Sequence, residues 1–170
     1  MEQTEQPAIV IRDARDTDIA EMIDIYYAVE SKSRHEPMES WSREEMIEQF
    51  HGWIREKRHA ICLVALKEDR VKAFTVCLIR SKKLATLEIF VAALEDRKDW
   101  RRSGATQHSG ECLFRAICDR ARALEIETLN TMVNREYHDF RRHTRFLSFR
   151  GFRKTGEFVE YEFELFDDED

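Results

Sequence analysis

Basic residues and glycines are concentrated in one stretch of the chain, DWRRSGATQHSGECLFRAI, which lies between a strand-like run and a helix-like run. The stretch contains Gly104 and Gly110, two of only five glycines. Four cations lie in it or directly before it: Arg97, Lys98, Arg101 and Arg102. Glycines let the backbone approach an anion closely, and the amides at a helix N-terminus attract phosphate. The pattern therefore predicts a phosphate-binding segment, with an ordinary solvated loop as the alternative.

One carboxylate, Glu88, interrupts the apolar strand-like run LATLEIFVAA. Strict alternation predicts two faces, with Thr86 and Phe90 beside Glu88 and with Leu87, Ile89 and Val91 opposite. A carboxylate in an apolar central strand is costly unless it is paired or used. Glu88 is therefore our candidate for a general base or a carboxylate that organises water. The alternative is a solvent-facing glutamate on a half-covered sheet.

Neither a metal site nor a thiol nucleophile is predicted. The four cysteines are Cys62, Cys77, Cys112 and Cys118, and they show no C-x-x-C spacing. They are expected to be reduced and partly buried thiols. His138 and His143 are five residues apart, a spacing that points them to different sides of a helix.

The elements that must position these residues can be predicted from hydrophobic periodicity and turn signals. Strands are expected at 9–12, 60–66, 71–80, 85–92, 128–133 and 157–166. Helices are expected from Asp16 and Asp18 through Tyr27, from a capping box at Ser42–Glu45 through Ile54, and at 110–124 and 140–149, the last ending at Gly151. The order β-α-α-β-β-β-α-β-α-β predicts an α/β fold: a mixed, largely antiparallel sheet flanked by helices. Residues 1–170 are expected to form a single domain, with 1–7 and 167–170 as disordered tails.

Composition limits the classes of function. The chain is 42% hydrophobic and 36% charged, with a formal net charge of -6. The net negative charge argues against a general nucleic-acid binder. The basic segment 141–153 nevertheless leaves nucleic-acid binding as a third hypothesis for the function. No apolar run is long enough to span a membrane. The N-terminus lacks the features of a secretory signal, so the cytoplasm is the expected compartment and no membrane partner is expected.

Four segments in this order resemble the GNAT acyltransferase superfamily: IRDARDTDIAEMIDI, LEIFVAA, GECLFRAICDRARALEIETL and RFLSFRGFRKTGE. The resemblance covers nearly the whole chain. It implies the GNAT fold, with acetyl-CoA or another acyl-CoA as co-substrate and no metal. It also implies transfer of the acyl group to an amine of a small molecule or a protein.

The resemblance assigns roles to residues. Glu88 takes the position of the base, and the backbone amide of Val91 or Ala92 would polarise the thioester. The residues implied in coenzyme binding are Arg101, Arg102, Gly104, Ala105 and Gly110 for the pyrophosphate, and Asn134 for the pantetheine arm. The loop departs from the family pattern Gln/Arg-x-x-Gly-x-Gly/Ala in each of three alignments. In two of them Thr106 or Cys112 takes the last small position, and in the third Gly110 takes it but His108 stands where glycine is expected.

The family's usual general acid is also replaced. A tyrosine is typical four residues before the closing Gly-Phe, and this chain has Leu147 there. The substitutes that we consider are Tyr137, His143 and Ser148. These departures leave open a second function, a GNAT-like binding or regulatory module without transfer chemistry. The final strand is rich in Phe and Tyr and could pair across a homodimer.

Overall fold

The computed structural model describes residues 8–31, 41–93, 108–133, 140–155 and 160–164. The predicted tails, 1–7 and 167–170, lie outside the described residues. The elements, in chain order, are β1 (Val10–Asp13), a 3-10 turn (Asp16–Asp18), α1 (Ile19–Glu30), α2 (Arg43–Arg55), β2 (Ala60–Lys67), β3 (Arg70–Ile79), β4 (Leu84–Ala92), α3 (Ser109–Ala123), β5 (Thr128–Met132), α4 (Phe140–Phe149), β6 (Arg153–Lys154) and β7 (Glu160–Glu164). The predicted order is confirmed, and the two-residue strand β6 is additional.

The strands of the described residues form one sheet in the order β1-β2-β3-β4-β5-β7-β6. Only β4 and β5 run parallel, while every other neighbouring pair is antiparallel. The predicted mixed, largely antiparallel sheet is therefore confirmed. The parallel pair requires a crossover, which α3 provides.

The sheet is covered on both faces. On the face that we call the α2 face, α1 and α2 bury Ile23 and Phe50 against Phe74 of β3. On the opposite face, the α3 face, Leu113 and Ile117 of α3 pack with Leu129 of β5. The apolar core therefore lies on both sides of the sheet. This explains why β2 is buried along nearly its whole length.

Local signals account for the helix ends. At the start of α2, the Glu45 amide donates to Ser42 Oγ at 3.2 Å, and the Ser42 amide donates to Glu45 Oε2 at 2.7 Å. The predicted capping box is thus confirmed. At the end of α4, Gly151 has a φ of 88°, which confirms the predicted glycine cap. Asp18, expected to open α1, makes no cap bond with its side chain there.

A β-bulge in β4 changes the faces of its residues. Val76 of β3 pairs with Ile89 while Cys77 pairs with Leu87, so Glu88 is the extra residue. Beyond it, Phe90 packs on the α3 face, whereas Ile89 packs on the α2 face. The predicted alternation is therefore wrong after Glu88. Phe90 does not share a face with Glu88, and Ile89 is not opposite to it.

Candidate active site between β4 and β5

The two parallel strands at the centre of the sheet separate after three paired residues. β4 pairs with β5 only at Leu84–Thr86, opposite Thr128–Asn130, although β4 continues to Ala92. At the point of separation, the buried Thr131 hydroxyl donates to the Leu87 carbonyl at 3.0 Å. Beyond this bond β5 keeps its pairing with β7 on its other edge, up to Met132. A gap therefore opens between β4 and β5 from Leu87 onwards.

Backbone groups of β4 line this gap. The Ala93 amide donates to the Lys72 carbonyl at 2.7 Å, and Ala92 is the register partner of Ala73. In an antiparallel ladder, successive residues direct their amides to opposite edges of the strand. The Val91 amide therefore points to β3, and the Ala92 amide points to the gap. Of the two amides considered from the sequence, only that of Ala92 lies on the gap edge.

Glu88 lies where the gap begins, on the α2 face of the sheet. Its Oε2 accepts from Nη2 of Arg80 at 3.3 Å, and Arg80 Nε is 3.4 Å from the Thr86 hydroxyl. The side chains of Glu88 and Arg80 are 42% and 51% exposed. An exposed ion pair of this kind contributes at most about 1 kcal/mol. The Glu88 carboxylate can therefore exchange this partner for another cation at little cost.

The N-terminus of α3 lies beside the same part of the sheet. Its N-cap residue is His108, whose Nδ1 accepts from the Gly110 amide at 3.2 Å. A Cβ on Gly110 would lie 3.2 Å from that nitrogen, so glycine makes room for the imidazole. Ser109 and Glu111 are buried beside it. In this arrangement the Gly110 amide bonds a side chain of the chain itself.

Glu111 connects α3 to the end of α4. Its carboxylate accepts from Arg150, and its other oxygen accepts from Arg115 at 3.1 Å. The Arg150 guanidinium also lies over the rings of Phe146 and Phe149, at 5.6 and 5.3 Å from their centroids. Sequence reasoning missed this pairing. No local signal reveals it, because Glu111 and Arg150 are 39 residues apart.

Aromatic rings fill the space between β4, α3 and α4. The Phe90 ring stacks on that of Phe146, with centroids 5.7 Å apart. Phe114 of α3 meets Phe146 edge to face at 5.7 Å and Phe152 at 5.9 Å. Phe90 joins this cluster because the bulge at Glu88 turns it to the α3 face. One strand irregularity therefore positions both the carboxylate and the aromatic wall.

No protein-family model and no curated protein matches the sequence. Solved structures do match. The PaiA N-acetyltransferase from Thermoplasma acidophilum, crystallised with coenzyme A, is 18% identical with a TM-score of 0.71, over 92% of this chain and 98% of that one. A GNAT-family acetyltransferase from Staphylococcus aureus Mu50 is 12% identical, with a TM-score of 0.74 over 94% and 100%. The chain has the fold of the GNAT acetyltransferases. The yncA acetyltransferase of Salmonella typhimurium, solved with acetyl-CoA, is 13% identical, with a TM-score of 0.66 over 94% and 95%.

The position of the GNAT general acid belongs to the core in this chain. Leu147 is buried among the residues of the α3 face. Of the substitutes, Ser148 is exposed and His143 is half-buried on α4. Tyr137 lies outside the described residues. Five of the predicted coenzyme contacts also lie outside the described residues: Arg101, Arg102, Gly104, Ala105 and Asn134.

Burial makes three of the four cysteine thiols of this chain unreactive. Burial raises the pKa of Cys62, Cys77 and Cys118 to about 12, so these thiols stay protonated at neutral pH. Within the described ranges, no group of three His, Cys, Asp or Glu side chains could hold a metal ion. None of the described helices is long and apolar enough to cross a membrane.

Proposed function

We propose that the chain is an N-acyltransferase that transfers an acetyl group from acetyl-CoA, or another acyl group from its CoA thioester, to an amine of a small molecule or a protein. The observation that carries the proposal is the separation of β4 and β5 directly beside Glu88. An extended pantetheine arm would lie in the gap, along the edge of β4. Glu88, the extra residue of the bulge in β4, presents its carboxylate on the α2 face.

In the proposed reaction, acetyl-CoA supplies an activated thioester carbonyl. Glu88 accepts a proton from the substrate ammonium, and the neutral nitrogen then bonds to the carbonyl carbon as the C–S bond breaks. The Ala92 amide lies on the edge where it would donate to the carbonyl oxygen as negative charge develops. Tyr137 or His143 would protonate the departing thiolate and would be reprotonated by the second proton that the nitrogen loses as the amide forms. The products are the N-acyl amine and coenzyme A.

The residues fit the two ends of the coenzyme differently. The parted strands and the Ala92 amide suit the thioester end. At the phosphate end, the Gly110 amide bonds His108, so we assign the pyrophosphate chiefly to side-chain cations, Arg101 and Arg102, with Gly104 and Ala105 giving backbone access. Asn134 would contact the pantetheine arm.

The test separates binding from chemistry. If the native state binds acetyl-CoA, ligand at 100 times its dissociation constant should add about 2.7 kcal/mol of stability. Glu88→Gln should keep that gain but lower turnover by about 10²–10⁴-fold, since a general base is lost. Glu127→Gln is the matched control, because Glu127 is also exposed and ion-paired, to Lys83 at 2.8 Å. Equal loss of turnover in both variants would contradict the role of Glu88.

One observation favours the second function, a binding or regulatory module without transfer chemistry. His108 and the buried Glu111 occupy the helix terminus where a phosphate would gain most from backbone amides. This alternative predicts no stabilisation by millimolar acetyl-CoA and no release of coenzyme A with any amine. Stabilisation together with amine-dependent release of coenzyme A would exclude it.

A further inference from the structure

A cavity of about 330 Å³ opens on the α2 face. It lies between the second half of α2 and the open end of the β2–β3 hairpin, where β2 begins and β3 ends. Trp53 and Leu78 form apolar parts of its wall. Its polar lining comes from Gln49, Glu56, His59 and Arg80. The lining is more polar than apolar, and convergent polar groups of this kind fix the orientation of a small molecule in its site.

Arg80 belongs both to this cavity and to the candidate active site. It lines the cavity, and its guanidinium reaches Glu88 and Thr86 by contacts of 3.3 and 3.4 Å. Both contacts are near the outer limit for a hydrogen bond. A guanidinium has five donors and matches a carboxylate best in a two-bond fork. The pair with Glu88 uses little of this capacity, so Arg80 can take a second carboxylate.

We propose that this cavity is the acceptor subsite and that the acceptor is an α-amino acid with an apolar side chain. The inference rests on the proposed function. The substrate carboxylate binds Arg80, and the substrate ammonium replaces Arg80 as the partner of Glu88. The apolar side chain packs on Trp53 and Leu78, while Glu56 disfavours acidic side chains. One internal ion pair is thus exchanged for two with the substrate.

This exchange couples recognition to chemistry. A proton passes from the ammonium to Glu88, and the nitrogen bonds to the acyl carbon as the C–S bond of the thioester breaks. The nitrogen then loses its second surplus proton and the thiolate takes up one, giving an N-acyl amino acid and coenzyme A, with one proton left on Glu88. An amine without a carboxylate leaves the Arg80 guanidinium beside Glu88. The two cations then compete for one carboxylate, so such amines should be poorer substrates.

The first experiment measures binding without turnover. Calorimetry on the full chain would compare L-leucine, L-methionine and L-phenylalanine with their primary amides. We expect at least one acid to bind at least tenfold more tightly than its amide, since a charge-assisted pair is lost in the amide. Arg80→Met should abolish that ratio, and Lys82→Met, in the turn between β3 and β4, should keep it. Binding by none of the acids, equal affinity for acids and amides, or an unchanged ratio in Arg80→Met would overturn the proposal.

The second experiment separates this inference from the proposed function. With acetyl-CoA, Arg80→Met should raise KM for the amino acid at least tenfold and change kcat much less. Amides carry the more acidic ammonium, and therefore more neutral amine, which biases the comparison against our expectation. Equal turnover of acids and amides would overturn the inference and leave the acyltransferase function intact. Binding of amino acids without any use of acetyl-CoA would overturn the transferase function and the acceptor role with it.

Discussion

Single residues with buried charge make the most specific demands on this structure, and Glu111 is the clearest example. Its side chain is 5% exposed, and its partner Arg150 is 21% exposed. The carboxylate gains from the positive end of α3, where it occupies the first turn. Its burial nevertheless requires a cation, because an unpaired charge in the interior is strongly destabilising.

Removing the cation should therefore cost more than removing the pair. We expect Arg150→Met to lower the free energy of unfolding by about 3 kcal/mol. The double variant Glu111→Leu/Arg150→Met should recover most of that loss. Arg115→Met is the control, since Arg115 contacts the same carboxylate but is 65% exposed, and it should cost less than about 1 kcal/mol. Urea denaturation measures all three. A double variant less stable than Arg150→Met would show that the pair itself stabilises the fold.

The helices α3 and α4 end in the same backbone motif, but a different residue takes the left-handed position in each. After α3, the Ile126 amide donates to Ala121 and the Glu125 amide to Arg122, at 3.0 and 2.9 Å. After α4, Phe152 and Gly151 make the same two bonds, to Leu147 and Ser148, both at 3.1 Å. Both helices therefore end in a Schellman motif. The left-handed residue is Glu125, with φ 59°, in one and Gly151, with φ 88°, in the other.

The two motifs make a matched experiment. Glu125→Gly should raise the free energy of unfolding by up to about 1 kcal/mol, because only glycine adopts this conformation without strain. Gly151→Ala should lower it by about 1 kcal/mol or more for the same reason. Thermal and urea unfolding would be compared with the parent chain. A loss of stability in Glu125→Gly would mean that the glutamate side chain makes a stabilising contact that outweighs the strain.

These elements also show which features of the fold can be predicted from the sequence. Ser42 with Glu45, and Gly151 after an amphipathic run, are local patterns with local causes, so the sequence predicts both ends. The bulge at Glu88 is not local, since it depends on how β4 registers against β3. Alternation alone therefore placed Phe90 on the wrong face. It identified Glu88 as unusual but could not supply Arg80 as its partner.

At the scale of the whole molecule, distant segments are joined by polar contacts that no periodicity predicts. Arg120 of α3 donates to Asp13 of β1 at 2.9 Å across 107 residues. The Val71 amide of β3 donates to Glu21 of α1 at 2.7 Å. These contacts connect helices on both faces to β1, an edge strand, and to β3, an interior strand of the same sheet. The gap between β4 and β5 is thus held within a sheet that is anchored on both sides, which suits a preformed site.

The pH dependence of folding should follow a more local contact, between Arg12 of β1 and Asp18 of the 3-10 turn. The buried Asp18 carboxylate accepts two bonds from Arg12, at 2.6 and 2.8 Å, and one from the Arg15 amide at 2.7 Å. Burial alone would raise the pKa of Asp18, but the Arg12 and Arg15 bonds outweigh it and hold that pKa below its ordinary value. A carboxylate with a depressed pKa binds fewer protons when folded than when unfolded. Its contribution to stability is therefore present above the unfolded pKa and is lost as pH falls through the folded one.

Asp18→Asn tests this directly. We expect the variant to be about 2 kcal/mol less stable at pH 7, since charge-assisted bonds to Arg12 are lost. The two chains should converge in stability as the pH is lowered below about 4, where the parent loses the same contribution. Asp24→Asn is the control, because the pair of Asp24 with Arg43 is exposed, and it should change little at any pH. Urea midpoints measured from pH 7 down to pH 3 decide the matter. A constant difference between Asp18→Asn and the parent over that range would mean that Asp18 stabilises the fold by packing rather than by its charge.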